Sequence, residues 1–311
     1  MENKNVLVTG GAGFIGSHLI DVLVEKNKVI CADNLSTGKK DNIAHLMKHR
    51  NFKFIKHDAS KPLKVAVKID CIFHLASPAS PVDYQQRPIE TMMANSLGTK
   101  NMLELAKAKK AKILLASTSE VYGDPEKHPQ SEDYWGNVNP VGPRSCYDES
   151  KRFSEALSTT YHRVYGLDVK IARIFNTYGP RMRSNDGRVI PNFVTQALGN
   201  KPITVYGDGK QTRSFCFVSD MVDGLIRLME SEHCGESFNL GNPDERKIIN
   251  VAKKIKTMAG SKSEIVFVSL PEDDPVRRKP DISKAKRLLG WEPKIGFDDG
   301  LKKTIDWFKT A

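Results

Sequence analysis

The chain has 311 residues, of which 39% are hydrophobic and 27% charged, an ordinary globular composition that excludes a disordered, collagen-like or disulfide-scaffold protein. At about 150 residues per domain, that length predicts two domains or one large α/β unit. Lys+Arg 48 against Asp+Glu 37 leaves a net charge of +11, which calls for an anionic partner: nucleic acid, a membrane surface or a phosphorylated small molecule.

Residues 4–9 (KNVLVT) read as a short apolar strand, followed by GGAGFIG and the helical pattern SHLIDVLVEK. Residues 28–33 (KVICAD) read as a second strand ending in Asp33. This β–glycine loop–α–β unit is the signature of a parallel dinucleotide-binding half. Further strands are expected at 52–57, 69–75, 112–118 and 168–174, with helices near 88–110 and 147–165. The alternation predicts an α/β fold built on a doubly wound parallel sheet of Rossmann type. From about residue 176 the chain becomes rich in Gly, Pro, Asn and Arg, with helical segments at 190–199, 219–232 and 247–259. The expected division is a Rossmann domain over 1–175 and a smaller α/β lobe over 176–311. The segment 214–240, strand then helix, is expected to return to the first domain.

The basic residues are scattered. Lys107–Lys112 reads as a solvated helix face, while the clusters Arg181–Arg188 and Arg277–Lys279 sit among loop-forming residues. No run approaches the roughly 18 apolar residues of a membrane helix. The N-terminus has no signal-peptide pattern, so a soluble cytoplasmic protein is expected. Cys31, Cys71, Cys146, Cys216 and Cys234 are widely spaced and contain no CxxC, which fits a reducing compartment and no thiolate metal site. His45 and His49 are four apart on an expected helix, but without a third ligand they read as solvated; His74 and Cys146 read as core residues.

Gly10, Gly13 and Gly16 form a GxxGxxG loop, with the next helix beginning near Phe14 and Ile15. Such a loop turns sharply and brings the backbone and a helix N-terminus to a pyrophosphate. Asp33 follows Gly16 by 17 residues at a strand end. A carboxylate there binds both ribose hydroxyls and repels a 2′-phosphate, which favours NAD over NADP. Asn34, Ser36, Thr37 and Gly38 extend this contact, and Asp58 is a candidate acceptor for the adenine edge.

Tyr147 and Lys151 share one helix face at i, i+4. A lysine ammonium beside a phenol favours the phenolate, which suits the tyrosine to general-base work. Thr118, Ser119 and Glu120 lie where the strand 112–118 runs into a loop. Ligands bind at the carboxyl ends of such strands, so these residues together suit hydride transfer at an alcohol carbon.

GGAGFIG, Asp33, STSEVYG and YxxxK together resemble the extended short-chain dehydrogenase/reductase superfamily over essentially the whole chain. HLASPASPVDY, SEDYWGNVNPVGPRSCYDESKR, ARIFNTYGPRM, VYGDGKQTRSF and DDPVRRKPD narrow the resemblance to the UDP-glucuronate decarboxylases, also called UDP-xylose synthases. The resemblance implies NAD as a recycled cofactor, no metal, and a soluble homodimer paired through the helices near 88–110 and 147–165, on apolar positions such as Met92, Leu97, Leu103 and Leu157. Catalytic roles would fall to Tyr147, Lys151, Thr118, Ser119, Glu120 and Arg277, with Glu120 facing the substrate carboxylate. Leu75 and Ser77 would join the cofactor contacts. Asn176, Arg181, Asn192, Tyr206, Gln211, Arg213 and Arg277 would bind UDP-glucuronate. Two other readings stand beside it. A UDP-sugar 4-epimerase would use the same NAD, tyrosine and lysine. A non-catalytic NAD-sensing regulator would need no Tyr–Lys pair, and no helix-turn-helix or basic–aromatic stripe appears, so no nucleic-acid partner is expected. A 4,6-dehydratase would place an Asp–Glu pair where Ser119 and Glu120 stand.

Overall fold

The computed structural model describes residues 1–310; Ala311, the last residue of the expected second lobe, lies outside the described residues. In chain order the first half contains β1 (Asn5–Thr9), α1 (Phe14–Val24), β2 (Lys28–Asp33), β3 (Phe52–Lys56), β4 (Cys71–His74), α2 (Pro81–Gln86), α3 (Pro88–Lys109), β5 (Lys112–Thr118), α4 (Ser145–Tyr165) and β6 (Val169–Ile174). The second half contains β7 (Thr177–Tyr178), α5 (Val189–Leu198), β8 (Ile203–Tyr206), β9 (Thr212–Ser214), β10 (Cys216–Phe217), α6 (Val218–Glu230), β11 (Ser237–Leu240), β12 (Glu245–Lys247), α7 (Ile248–Met258), β13 (Ile265–Val268), β14 (Arg277–Arg278), α8 (Ser283–Leu289) and α9 (Phe297–Thr310).

Seven strands form one parallel sheet in the order β11-β6-β5-β4-β1-β2-β3. Strands β1, β4 and β5 are nearly continuous runs of buried residues because helices cover both faces, as parallel sheets require. One face packs on α1 and α6 through Val6, Val8, Leu19, Leu225 and Phe238. The other packs on α3 and α4 through Leu7, Ile72, Met102, Leu103 and Tyr161. A separate apolar cluster joins α5, α7 and α9 through Phe193, Val194, Ile255 and Leu301. The doubly wound sheet is as the sequence predicts. The strand β11, more than sixty residues downstream of β6, pairs with it in parallel from Ser237↔Ile171 to Leu240↔Ile174.

Two expectations need correction. The histidine pair does not share a helix: a short 3-10 helix covers Lys40–Leu46 and His49 lies beyond it, while His45 Nε2 meets Asp21 Oδ1 at 2.8 Å. The apolar positions assigned to a pairing surface divide. Met92 and Leu97 are exposed on α3, but Leu103 is fully buried against its own sheet and Leu157 packs at the edge of the same core. His74 and Cys146 are buried. His74 Nδ1 lies 2.7 Å from Thr9 Oγ1, and burial holds its pKa down at about 3, so the ring is neutral. Among the described residues, no helix is long and apolar enough to cross a membrane.

Candidate active site

One cleft of about 460 Å³ runs along the carboxyl ends of β1, β2, β4 and β5 and under the segments after β6 and β13. Its size is that of a ligand site. The glycine loop forms one end. Gly10 has φ +70°, and a Cβ there would come within 2.8 Å of the Ala76 backbone. At Gly16 a Cβ would run into the Gly10 carbonyl, so the first turn of α1 stays close to the loop. These two positions keep the backbone open to a phosphate at the helix N-terminus. Asp33 closes the same end. Its Oδ2 accepts from Ala12 N at 3.0 Å and its Oδ1 from Leu35 N at 2.7 Å. Burial raises its pKa, opposed by those two backbone hydrogen bonds. The carboxylate therefore braces the glycine loop as well as facing the cleft, a second task the spacing did not disclose. Phe14, Ile15, Asn34, Ser36, Thr37, Gly38, Asp58, Leu75 and Ser77 line this end with Gly13.

Tyr147 and Lys151 enter the middle of the cleft from α4. The Tyr147 ring stacks on Tyr84 of α2, with centroids 5.0 Å apart and planes 7° from parallel. Burial pushes its phenol well above the usual range, and a hydrogen bond with Thr118 works in the opposite direction. Lys151 Nζ donates to the Ala116 carbonyl at 2.9 Å, and burial pushes it down to about 7. The ammonium is thus aimed along β5 rather than at the phenol, 5.7 Å from the Tyr147 ring centre.

Glu120 follows Thr118, whose Oγ1 accepts from Glu120 N at 3.2 Å. Its carboxylate does not stand alone. It pairs with Arg144, and Arg278 NH2 lies 3.4 Å from its Oε2. Burial alone would raise the Glu120 carboxyl, but Arg278, Arg144 and Arg213 outweigh it and hold the group ionised, below the usual carboxylate range. Two guanidinium groups thus balance the charge of Glu120.

Arg277 is the second correction at the site. Its side chain is exposed and does not line the cleft; Arg278, 1% exposed and also outside the cleft lining, is the arginine that reaches Glu120. The segment expected as loop forms β14, paired with β9 in the register Arg277↔Thr212 and Arg278↔Arg213. Successive strand residues point to opposite sides, so one residue of register decides which arginine reaches Glu120. The other residues expected to bind substrate, Asn176, Arg181, Asn192, Tyr206, Gln211 and Arg213, all line the cleft. Arg181 leans towards the glycine-loop helix, with NH2 2.7 Å from Asp21 Oδ2 on α1.

Sequence reasoning missed Arg144, Arg278, Arg188 and Asp274. Arg188 is forked onto Asp186 and lies near enough to Tyr147 to lower its pKa. Arg144 stands three residues before Tyr147, one helical turn back, and that spacing was the available signal. Among the described residues, no group of three or more His, Cys, Asp or Glu side chains is gathered to hold a metal.

The family model described as GDP-mannose 4,6 dehydratase matches residues 7–304. UDP-glucuronic acid decarboxylase 1 of Xenopus tropicalis is 54% identical over 309 residues, covering 99% of this chain and 73% of that protein. UDP-glucuronic acid decarboxylase 6 of Arabidopsis thaliana is 56% identical over 302 residues, covering 96% of this chain and 87% of that protein. The chain belongs to the UDP-glucuronic acid decarboxylase family. Solved structures at lower identity share the whole fold with this family member. A UDP-N-acetylglucosamine 4-epimerase from Methanobrevibacter ruminantium, in complex with UDP-N-acetylmuramic acid, matches with TM-score 0.92 at 31% identity, covering 100% of this chain and 99% of that one. A UDP-glucuronic acid 4-epimerase from Bacillus cereus, solved with UDP-glucuronic acid and NAD, matches with TM-score 0.88 at 31% identity, covering 98% of this chain and 99% of that one.

Proposed function

We propose that this protein decarboxylates UDP-glucuronate to UDP-xylose with NAD as a recycled cofactor. The observation that carries the reading is the adjacency of two devices in one cleft. The Tyr147–Thr118–Lys151 group suits oxidation at an alcohol carbon. Beside it, Glu120 and Arg144 line the cleft where a sugar carboxylate would lie, and the buried Arg278 pairs with the same Glu120. Relatives at 54% and 56% identity carry the decarboxylase name, which supports the same choice.

The cofactor's fit rests on the tight glycine loop, whose turn a Cβ at Gly10 or Gly16 would break by striking backbone, and on Asp33, which lines the same end of the cleft and would meet the ribose. Residues 1–175 together with the returning segment 214–240 would form the NAD-binding domain, and the rest of 176–311 the nucleotide-sugar lobe. When bound, NAD would supply the hydride acceptor for oxidation at the sugar C4 and the hydride for the closing reduction. Tyr147 takes the C4 hydroxyl proton, with Thr118 and Ser119 holding the oxygen. The C4 ketone is then β to the C6 carboxylate. As the C5–C6 bond breaks, its electron pair moves through C5 to the ketone oxygen and carbon dioxide leaves. A proton then adds at C5, and the Tyr147 phenol gives its proton back to the C4 oxygen. Lys151 and Asp33 fix the cofactor, while Arg213 and Arg181 meet diphosphate groups, as guanidinium forks do. Asn176, Asn192, Tyr206 and Gln211 surround the rest of the nucleotide.

Purified protein incubated with UDP-glucuronate should release carbon dioxide and form UDP-xylose. The epimerase reading draws on the UDP-glucuronic acid 4-epimerase likeness. Formation of UDP-galacturonate without carbon dioxide would establish it instead, and conversion of UDP-glucose to UDP-galactose with UDP-glucuronate untouched would do the same.

NAD should copurify, because a closed redox cycle never requires its release. Denaturing the protein and assaying the supernatant checks this; a cofactor-free preparation active only with NADP would overturn the Asp33 assignment. A homodimer is also expected, in the cytoplasm. Ile89, Met92, Met93 and Leu97 on α3 and Phe153, Val164 and Tyr165 on α4 form exposed apolar positions on two packed helices. Light scattering at micromolar concentration should give twice the mass of 34.8 kDa; a monomer would refute the pairing.

A further inference from the structure

The segment between β13 and β14 crosses the mouth of the cleft, and Pro271, Glu272, Asp274 and Pro275 line it. Asp274 reaches inward to two arginines. Its Oδ2 accepts from Arg213 NH2 at 2.8 Å, and its Oδ1 lies 3.6 Å from Arg144 NH1. The segment is tethered on either side of this contact. Asn139 Nδ2 donates to Asp273 Oδ2 at 3.1 Å, and Val276 N donates to Asp124 Oδ1 at 3.0 Å. Asp273 itself has φ 59°, the left-handed region that a non-glycine residue adopts at a cost of about 1 kcal/mol or more.

Three guanidinium groups, Arg144, Arg213 and Arg278, meet three carboxyl groups here: Glu120, Asp148 and Asp274. On the two arginines that line the cleft, Arg144 NH2 is engaged by Glu120 and Arg213 NH2 by Asp274. The diphosphate and carboxylate of a nucleotide sugar are acceptors only, and they cannot share donors with Asp274 without close like-charge contact. One of the three acids must yield. Glu120 stands at the end of β5 and Asp148 inside α4, both on built elements. Asp274 alone is carried on an irregular segment, and its side chain is also the most exposed of the three.

We propose that Asp274 is a latch that stands in for the substrate's anionic groups: it holds Arg213 and Arg144 together across the closed mouth and gives them up when a nucleoside diphosphate enters. The inference rests on the UDP-sugar reading above and adds to it a residue that sets substrate affinity against itself. Opening the latch taxes binding in inverse proportion to the fraction of molecules already open. If about one molecule in ten is open, removing the latch tightens the ligand about tenfold.

Isothermal titration of the NAD-loaded protein with UDP tests this. Asp274→Asn should tighten UDP by about fivefold or more, and lower KM for UDP-glucuronate by a similar factor while kcat is unchanged or reduced through slower product release. Asp274→Glu keeps a carboxylate and should stay within about twofold of the native affinity. Asp273→Asn makes the same charge change on the same segment without touching an arginine, and should leave UDP affinity unmoved. Retained NAD shows that each variant is folded. Unchanged or weaker UDP binding by Asp274→Asn overturns the latch, and so does equal tightening by Asp273→Asn, which would reveal a general field effect. If the native protein releases no carbon dioxide from UDP-glucuronate yet Asp274→Asn still tightens UDP, the decarboxylase reading fails and the latch stands. If the native protein decarboxylates and UDP affinity does not move, the latch alone fails.

Discussion

Replacing Tyr147 by Phe should abolish carbon dioxide release from UDP-glucuronate, with a loss in kcat/KM of about 10³-fold or more, the scale of a positioned acid–base group. The substitution removes one oxygen and leaves the ring stacked on Tyr84, so the fold, NAD content and UDP affinity should all persist. Since oxidation at C4 comes first, no absorbance from reduced nicotinamide should ever develop on mixing with substrate. The same group sets a pH dependence. Burial raises the Tyr147 phenol, so the proton-accepting form is scarce near neutrality and grows as pH rises. The native kcat/KM should therefore climb with pH through the neutral range. A Phe variant within about tenfold of native activity, or a native profile that falls with pH, would place the base elsewhere.

Glu120→Ala should differ in kind. The C4 oxidation machinery stays intact, so NAD remains bound. The variant leaves Arg144 and Arg278 without the carboxylate between them. Removing one partner of a buried ion pair costs about 3 kcal/mol or more, and thermal unfolding should show it as a clear fall in Tm. Formation of UDP-xylose should drop by about 10²-fold or more, because the two guanidinium groups would no longer be held at the carboxylate end of the site. Glu120→Gln, which keeps the shape and loses the charge, should recover part of the stability but little of the activity. A fully active Ala variant would leave the decarboxylase reading standing and remove Glu120 from it.

The sheet, its strand bounds and the glycine loop were legible because each rests on local pattern: apolar runs, a helix start, an acid at a strand end. The Tyr147–Lys151 pair was legible for the same reason, since four residues on a helix fix a shared face. What that spacing could not fix was direction. Lys151 points at the Ala116 carbonyl, a partner 35 residues away in sequence. Arg277 was chosen over Arg278 because nothing local sets the phase of a two-residue strand; pairing with β9 does. Asp274 was invisible, and Arg144 was marked only by its place one turn before Tyr147, for a related reason. Their meaning comes from each other across 130 positions, and an arginine preceding a helix or an aspartate between prolines carries no such mark alone.

The late return of β11 has a consequence for how the chain is made. Strand β6 borders β5 on one side, and its other edge has no partner until residues 237–240 arrive. On a ribosome the whole dinucleotide-binding half therefore emerges with an apolar strand edge open, and α6, which covers one face, is still to come. An unpaired edge of that kind is a template for association between nascent chains. A gene fragment ending after β6 would express this vulnerable intermediate permanently, because the last strand of the sheet is supplied from within the other half of the sequence.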